Sequence, residues 1–403
     1  MTTDDPATAA ASAPRCPSCG DPRLEQFHHQ AEVPSHSCLL LDDREAARRF
    51  PRGDISLSVC HRCGFIANLA FDPALAAYSA DYEETQGYSP RFRAFADDLA
   101  RRWVERHDLV DCHVVEVGCG KAEFLAQLCE LGGNRGTGID PAIVPERLDP
   151  AARERIVAVP EYLTADTAHL LADADAVVCR HTLEHIPGTA AFLRLVRASI
   201  DPDRCRAVLF EVPDTLRVLD EAAFWDVYYE HCSYFTPGSL ARLFRGCGFE
   251  VTDVELGFED QYVLLEATPG AGDAPLPAAA EPPERAVAGA HSFRDRLAAI
   301  RSGWRTRLEE HHAAGRRVVI WGAGSKGVAF LTTVGVGEEV ACAVDVNPHK
   351  QGMFMAGTGH PIVGPDHLRD HPADLVVAMN PVYLAEIRRD LDRLGVDAEL
   401  CAV

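Results

Sequence analysis

Basic residues are scarce in this chain. Against 61 Asp and Glu it has 39 Lys and Arg, a formal charge of −22. A broad nucleic-acid surface needs clustered cations, and this balance does not provide them. A nucleotide held locally, through backbone amides and one or two cations, stays compatible with it. Also missing is any uncharged apolar run approaching a membrane span of about 20 residues. The opening MTTDDPATAAASAP has neither the basic region nor the apolar core of a secretory signal, and it reads as a disordered tail. Fourteen cysteines without such a signal point to a reducing cytoplasm, with thiols buried or on metal.

What is present describes a soluble globular protein. Hydrophobic residues make up 47% and charged residues 25% of the 403, a length that implies two or three domains. Composition divides the chain into a tail (1–14), a Cys-punctuated module (15–70) and a helical connector (71–110). An alternating strand–helix block (111–267), a Pro/Ala/Gly linker (268–290) and a second alternating block (291–403) follow. Within the connector, Ser89 before Pro90 marks a helix start. The pieces HVVEV, RGTGI, DAVVC, AVLFEV and QYVLLEA read as strands, several apolar throughout as in a covered parallel sheet.

Two CxxC pairs, Cys16/Cys19 and Cys60/Cys63, supply four thiolates, the soft tetrahedral set that Zn²⁺ takes in a closed structural site. The nearby His28, His29, His36 and Cys38 read as loop residues. HVVEVGCG then places Gly118 and Gly120 between a strand and an amphipathic helix, where absent side chains let backbone approach a ligand. Asp140 ends the next strand, placed to accept from ribose hydroxyls. This pattern suits NAD or S-adenosylmethionine. Glu116 inside the strand favours the second, because a carboxylate there matches a cationic methionine-like ligand better than a pyrophosphate.

Titratable groups gather in two further stretches, CRHTLEHIP (179–187) and FWDVYYEHCSYFTPGSL (224–240). In an open α/β sheet both fall beyond the carboxyl ends of strands, beside the cofactor. Methyl transfer to oxygen or nitrogen often needs positioning and one base. A carbon acceptor must also lose a proton and have its enolate stabilised, which a mouth rich in such groups serves. Residue types alone leave open which of His181, His185 and His231 is the base. A Glu–His pair that only satisfies buried backbone is the structural alternative.

In this order the Cys module, the ExGxG domain, RHTLEHI, YYEHCSYFT and a C-terminal WGAGSKG…VDVNPHKQG…NPVY resemble three-domain, zinc-containing sugar C-methyltransferases over nearly the whole chain after residue 15. The resemblance implies an α/β protein with a small Cys₄ zinc module, a class I (Rossmann-like) methyltransferase domain and a second, smaller Rossmann-like C-terminal domain. It implies S-adenosylmethionine at Glu116, Gly118, Gly120 and Asp140. The implied acceptor is a nucleotide-linked 4-keto-deoxysugar of an antibiotic pathway, methylated at carbon. Carried over residue by residue, His231 becomes the base and Glu230 orients it, while Tyr228 and His181 hold the substrate or its oxyanion. The chain departs from the family after the first CxxC, where HHQAEVPSHSCLLLD replaces a segment that shapes the acceptor side. O- or N-methylation of another small molecule is therefore the alternative.

The second block carries a full GxGxxG, Gly322, Gly324 and Gly327, with Asp345 ending the next strand. Alone that predicts a dinucleotide site. About ninety residues are too few for a complete two-half fold, so the expectation is a substrate-holding domain. Lys326 would meet a phosphate, with Asn380, Tyr383 and Tyr82 also at the acceptor. The remaining expectations are a monomer with a small-molecule partner, without nucleic acid or membrane.

Overall fold

In a computed structural model, the structure describes residues 14–76, 82–83 and 85–403; most of the N-terminal tail expected at 1–14 lies outside them. Three sheets organise these residues. The first is antiparallel, Leu24–Pro34, Arg52–Cys60 and Ile66–Asn68, completed by Ser233–Tyr234 from far along the chain. The cysteine module therefore takes its last strand from the stretch that holds Glu230 and His231.

The second sheet has seven strands, ordered Phe249–Gly257, Tyr262–Pro269, Ala207–Pro213, Ala176–Arg180, His113–Val117, Arg135–Ile139, Ile156–Val159. Tyr262–Pro269 runs antiparallel to both of its neighbours, and the remaining pairs are parallel. This is the class I methyltransferase arrangement expected from the sequence. The third sheet is parallel throughout, Ile362–Val363, Cys342–Val344, Val318–Trp321, Leu375–Ala378, Glu399–Ala402. The expected second, smaller α/β unit is thus present, with two more strands than the sequence patterns suggest.

Helix Pro90–Arg106 begins where Ser89 and Pro90 place it, with the Ser89 hydroxyl accepting from the Phe92 amide. It buries Ala96, Leu99, Ala100, Trp103 and Val104, one face at helical spacing, against the seven-stranded sheet's core. The expected linker at 268–290 needs correction. A helix of 31 residues, Pro283–Ala313, starts inside it and buries Ala286, Ala290 and Phe293 along one face. Alanines at that spacing pack closely, yet in a Pro/Ala-rich stretch they do not stand out as an apolar stripe. Nor is the rest of the linker loose, because the Glu281 carboxylate accepts from the Gly238 amide at 2.7 Å and from the Thr236 hydroxyl. Among the described residues, no helix is long and apolar enough to cross a membrane.

Candidate active site

Strand His113–Val117 runs into the first glycine turn and helix Glu123–Gly132. Gly118 has φ +71°, and a Cβ there would lie 1.9 Å from Thr182 Oγ1. The Thr182 hydroxyl is itself within 3.2 Å and 3.0 Å of the Gly118 and Arg180 carbonyls, so it has no room to withdraw. Gly118→Ala should therefore weaken S-adenosylhomocysteine binding by about tenfold or more, equivalent to about 1.4 kcal/mol, measurable by calorimetry. Asp140 closes the turn, accepting from the Gly120 amide at 2.8 Å and the Ala142 amide at 2.6 Å. Ala122 stands where a third glycine is common, and it adopts φ +61° while fully buried. Glu116 is buried, and that burial pushes its carboxyl up to about 8 against the pull of Arg180. Its Oε2 has no partner among the described residues, which leaves it available to a ligand's cation.

Beyond strand Ala176–Arg180 the mouth is a charge network. Arg180 Nε donates to Glu211 Oε2 at 2.7 Å, and its guanidinium lies 3.9 Å from the Phe124 ring centre. His181, at φ +49°, points Nε2 to Glu211 Oε1 at 2.7 Å and Nδ1 to Glu184 Oε1 at 3.7 Å. Burial would lower its pKa, but the two carboxylates win and carry it up to about 9. Glu211, buried yet flanked by Arg180 and His181, is held at about 2. His181 is thus an imidazolium at neutral pH, suited to receive negative charge.

His231 is the opposite. Burial first, then the neighbouring His185, His181 and Lys326, push its pKa well below the usual range. Its ring centre lies 4.2 Å from that of Tyr228 and 4.8 Å from that of His185. Burial raises the Tyr228 phenol well above its usual value, so it stays a hydrogen-bond donor. Glu230 departs from the role expected of it. Its Oε1 lies 3.2 Å from His36 Nδ1, both side chains buried, and its backbone carbonyl faces His185 Nδ1 at 3.0 Å. The carboxylate does not reach His231. Glu230 sits in a tight turn closed by the His231 amide donating to the Tyr228 carbonyl at 3.2 Å, so adjacency in sequence does not bring the two side chains together. His36, read as a loop residue, is the partner the sequence did not reveal.

The second glycine turn repeats the first. Asp345 accepts from the Ala323 and Asn347 amides, both at 2.8 Å. Both turns, with Tyr228, His181 and His231, line one cavity of about 1150 Å³. Lys326 lies 2.5 Å from Asp226 and 3.4 Å from Gln261 Oε1, which also accepts from Asn380 at 3.3 Å. Tyr383 and Tyr262 share Gln86 Oε1, each at 3.4 Å. Tyr82 and Cys38 are on the cavity wall too, so the segment that departs from the family pattern faces the same space.

Residues 83–254 match a methyltransferase domain, and 285–397 match a C-methyltransferase C-terminal domain. The C-methyltransferase NovU of Streptomyces niveus is 31% identical over 300 residues, covering 70% of each chain. This chain belongs to the C-methyltransferase family. Weaker likeness extends to a ribosomal protein L11 methyltransferase of Pseudomonas savastanoi, 26% identical over 35% of this chain and 50% of that one. A solved 1,6-didemethyltoxoflavin-N1-methyltransferase from Burkholderia thailandensis is 20% identical, with a TM-score of 0.35 over 43% of this chain and 78% of that one.

As a C-methyltransferase the protein depends on S-adenosylmethionine, which supplies a methyl group already activated on sulfonium. Its composition holds a signal that motif reading missed. Only three lysines occur, Lys121, Lys326 and Lys350, and all three line the cavity; the other cations are arginines. In the cysteine module, the Sγ atoms of Cys16 and Cys63 are 3.7 Å apart, and those of Cys19 and Cys60 3.6 Å. Zn–S bonds of about 2.3 Å place tetrahedral sulfurs about 3.8 Å apart. All four thiols lie within 4.8 Å of one another. The donor set and its spacing fit a structural zinc.

Proposed function

We propose that this enzyme C-methylates a nucleotide-linked keto-deoxysugar through an enolate formed under His231. The observation that carries the reading is the single cavity joining both glycine turns, with a neutral imidazole and an imidazolium between them. Its volume exceeds the roughly 300–1,000 Å³ of most single-ligand sites, as a cofactor and a nucleotide-bearing acceptor together require. S-adenosylmethionine sits at Gly118, Gly120 and Asp140, its cationic part toward Glu116. The acceptor's nucleotide lies toward Gly322, Gly324 and Lys326.

His231 takes the proton from the carbon beside the ketone, and the electron pair passes to the carbonyl oxygen. There the His181 imidazolium and Tyr228 hydroxyl bear the charge. The carbon then attacks the sulfonium methyl, S-adenosylhomocysteine leaves as a neutral thioether, and the proton on His231 passes to water. Glu230, tied to His36, positions the segment instead of charging the base. Zinc at Cys16, Cys19, Cys60 and Cys63 holds the module that presents His36 and Cys38.

Incubation in D₂O with S-adenosylhomocysteine and a thymidine-diphosphate 4-keto-deoxysugar tests this directly. Loss of the proton beside the ketone, followed by NMR, is expected without turnover. Its retention by protein that binds the cofactor would exclude this acceptor.

The exchange rate should hold a plateau whose acid limb lies well below pH 6.5, where His231 protonates. The alkaline limb falls near pH 9, where His181 loses its proton. The His181 contribution to stability is complete below about 6.5 and is lost as pH rises through about 9. Lys326→Ala should raise KM for the nucleotide-linked acceptor by about tenfold with a smaller change in kcat, the pattern of lost uniform binding.

A further inference from the structure

Lys326 is not the only cation on its side of the cavity. Its Nζ lies 2.5 Å from Asp226 Oδ1, and Arg217 Nη2 lies 2.5 Å from Asp226 Oδ2. Helix Thr215–Glu221 carries Arg217, the turn Phe224–Asp226 carries Asp226, and the first turn of helix Ser325–Val334 carries Lys326. All three side chains line the cavity, and those of Arg217 and Asp226 are each 10% exposed. Lys326 alone offers an anion little net charge, because Asp226 cancels it. Arg217 restores one positive charge to the group, since its other partner, Glu221, is 51% exposed and screened by solvent.

Donors and acceptors in this group do not balance. The Nε and Nη2 hydrogens form one edge of the planar guanidinium fork, shaped for two oxygens of a single carboxylate or phosphate. Asp226 fills only the Nη2 prong, because its other oxygen goes to Lys326. Arg217 Nε is buried without a hydrogen-bond partner among the described residues, an arrangement that costs stability. A diphosphate joining a nucleoside to a sugar has non-bridging oxygens enough for the whole fork and for Lys326.

We infer that Arg217 and Lys326 together receive the acceptor's diphosphate, and that Asp226 is a resident competitor, holding both cations until that diphosphate displaces it. The proposal rests on the reading of the acceptor as nucleotide-linked. Exchanging one anion for another keeps the cations paired throughout, so neither is left buried and uncompensated. The same exchange holds affinity down, which lets the product's diphosphate leave readily. No covalent bond is made or broken.

Calorimetric titration with thymidine diphosphate tests this, on zinc-loaded protein saturated with S-adenosylhomocysteine. Asp226→Asn keeps the shape and removes the competing charge, and it should tighten thymidine diphosphate about tenfold. Arg217→Gln should weaken it about tenfold or more. Thymidine, which has no phosphate, should bind both variants as it binds wild type. Cofactor affinity within about twofold of wild type reports a folded variant. Arg217→Lys keeps a charge opposite Asp226 but loses the fork; it replaces Arg217→Gln if that variant loses the cofactor, and it should also weaken binding. Unchanged or weaker binding by Asp226→Asn overturns the competitor, because a carboxylate that only scaffolds its neighbours loosens the site when altered. Unchanged binding by the Arg217 variant overturns the second cation. Equal shifts for thymidine place the effect in the pocket wall and overturn both. Inorganic pyrophosphate separates this proposal from the acceptor reading. If wild type binds pyrophosphate but not thymidine diphosphate, the nucleotide reading has failed, and the variants' pyrophosphate affinities still decide the phosphate site. Wild type that binds neither overturns both.

Discussion

His231→Ala should slow methyl transfer by about 10²–10⁴-fold, the usual contribution of a general base, while S-adenosylhomocysteine affinity stays within about twofold, a shift of about 0.4 kcal/mol. The size follows from the lack of a substitute. His181 is protonated at neutral pH, because Glu211 and Glu184 hold its proton. The His185 ring is turned so that Nδ1 faces the Glu230 carbonyl. Tyr228 keeps its phenolic proton. Among the described residues, His231 is the imidazole that burial keeps neutral with its ring against Tyr228, the other group placed for the oxyanion. Deuterium washout separates this loss from any effect on methyl transfer itself. A variant that still exchanges within tenfold of wild type would move the base elsewhere, with His185 the next residue to change. A drop in both washout and cofactor affinity would instead report a collapsed mouth.

The first glycine turn was legible because its chemistry is local. A strand, two glycines and an acid on the neighbouring strand lie within thirty residues, and Asp140 locks the turn as that spacing implies. The same logic found Asp345 and the second turn. What stayed hidden is non-local or atypical in pattern. His36 meets Glu230 across 194 residues, and nothing beside His36 marks it. Strand Phe249–Gly257 alternates buried and exposed positions in a charged stretch, and Ile156–Val159 is only four residues long, so neither shows as an apolar run. Glu230 was misassigned because a sequence shows neighbours along the chain, whereas a base is charged by neighbours in space.

Loss of zinc should have the second large effect, and it should divide the molecule. Cys60→Ser removes one of four thiolates from a site whose metal contributes about 10–16 kcal/mol in small zinc modules. That compares with about 5–15 kcal/mol for the whole stability of a typical domain. The consequence reaches the mouth because the module is built into it. Ile66 and Ala67 pair with Tyr234 and Ser233, and the Asn68 amide donates to the Cys232 carbonyl at 2.9 Å. The Tyr229 hydroxyl accepts from the Asp72 amide at 2.8 Å. These contacts fix both flanks of Glu230 and His231, and the module also supplies His36. The seven-stranded domain keeps much of its own core, formed by Val114, Leu125, Leu128 and Val178 on one face of the sheet. Zinc-free Cys60→Ser should therefore still bind S-adenosylhomocysteine while washout and methyl transfer fall by at least the factor predicted for His231→Ala. Elemental analysis, calorimetric cofactor binding and NMR exchange on one preparation distinguish the outcomes. Full activity without zinc would show that the thiols hold the module unaided. Loss of cofactor binding together with activity would mean that the module and the catalytic domain fold as one cooperative unit, with the shared strand Ser233–Tyr234 as the joint between them.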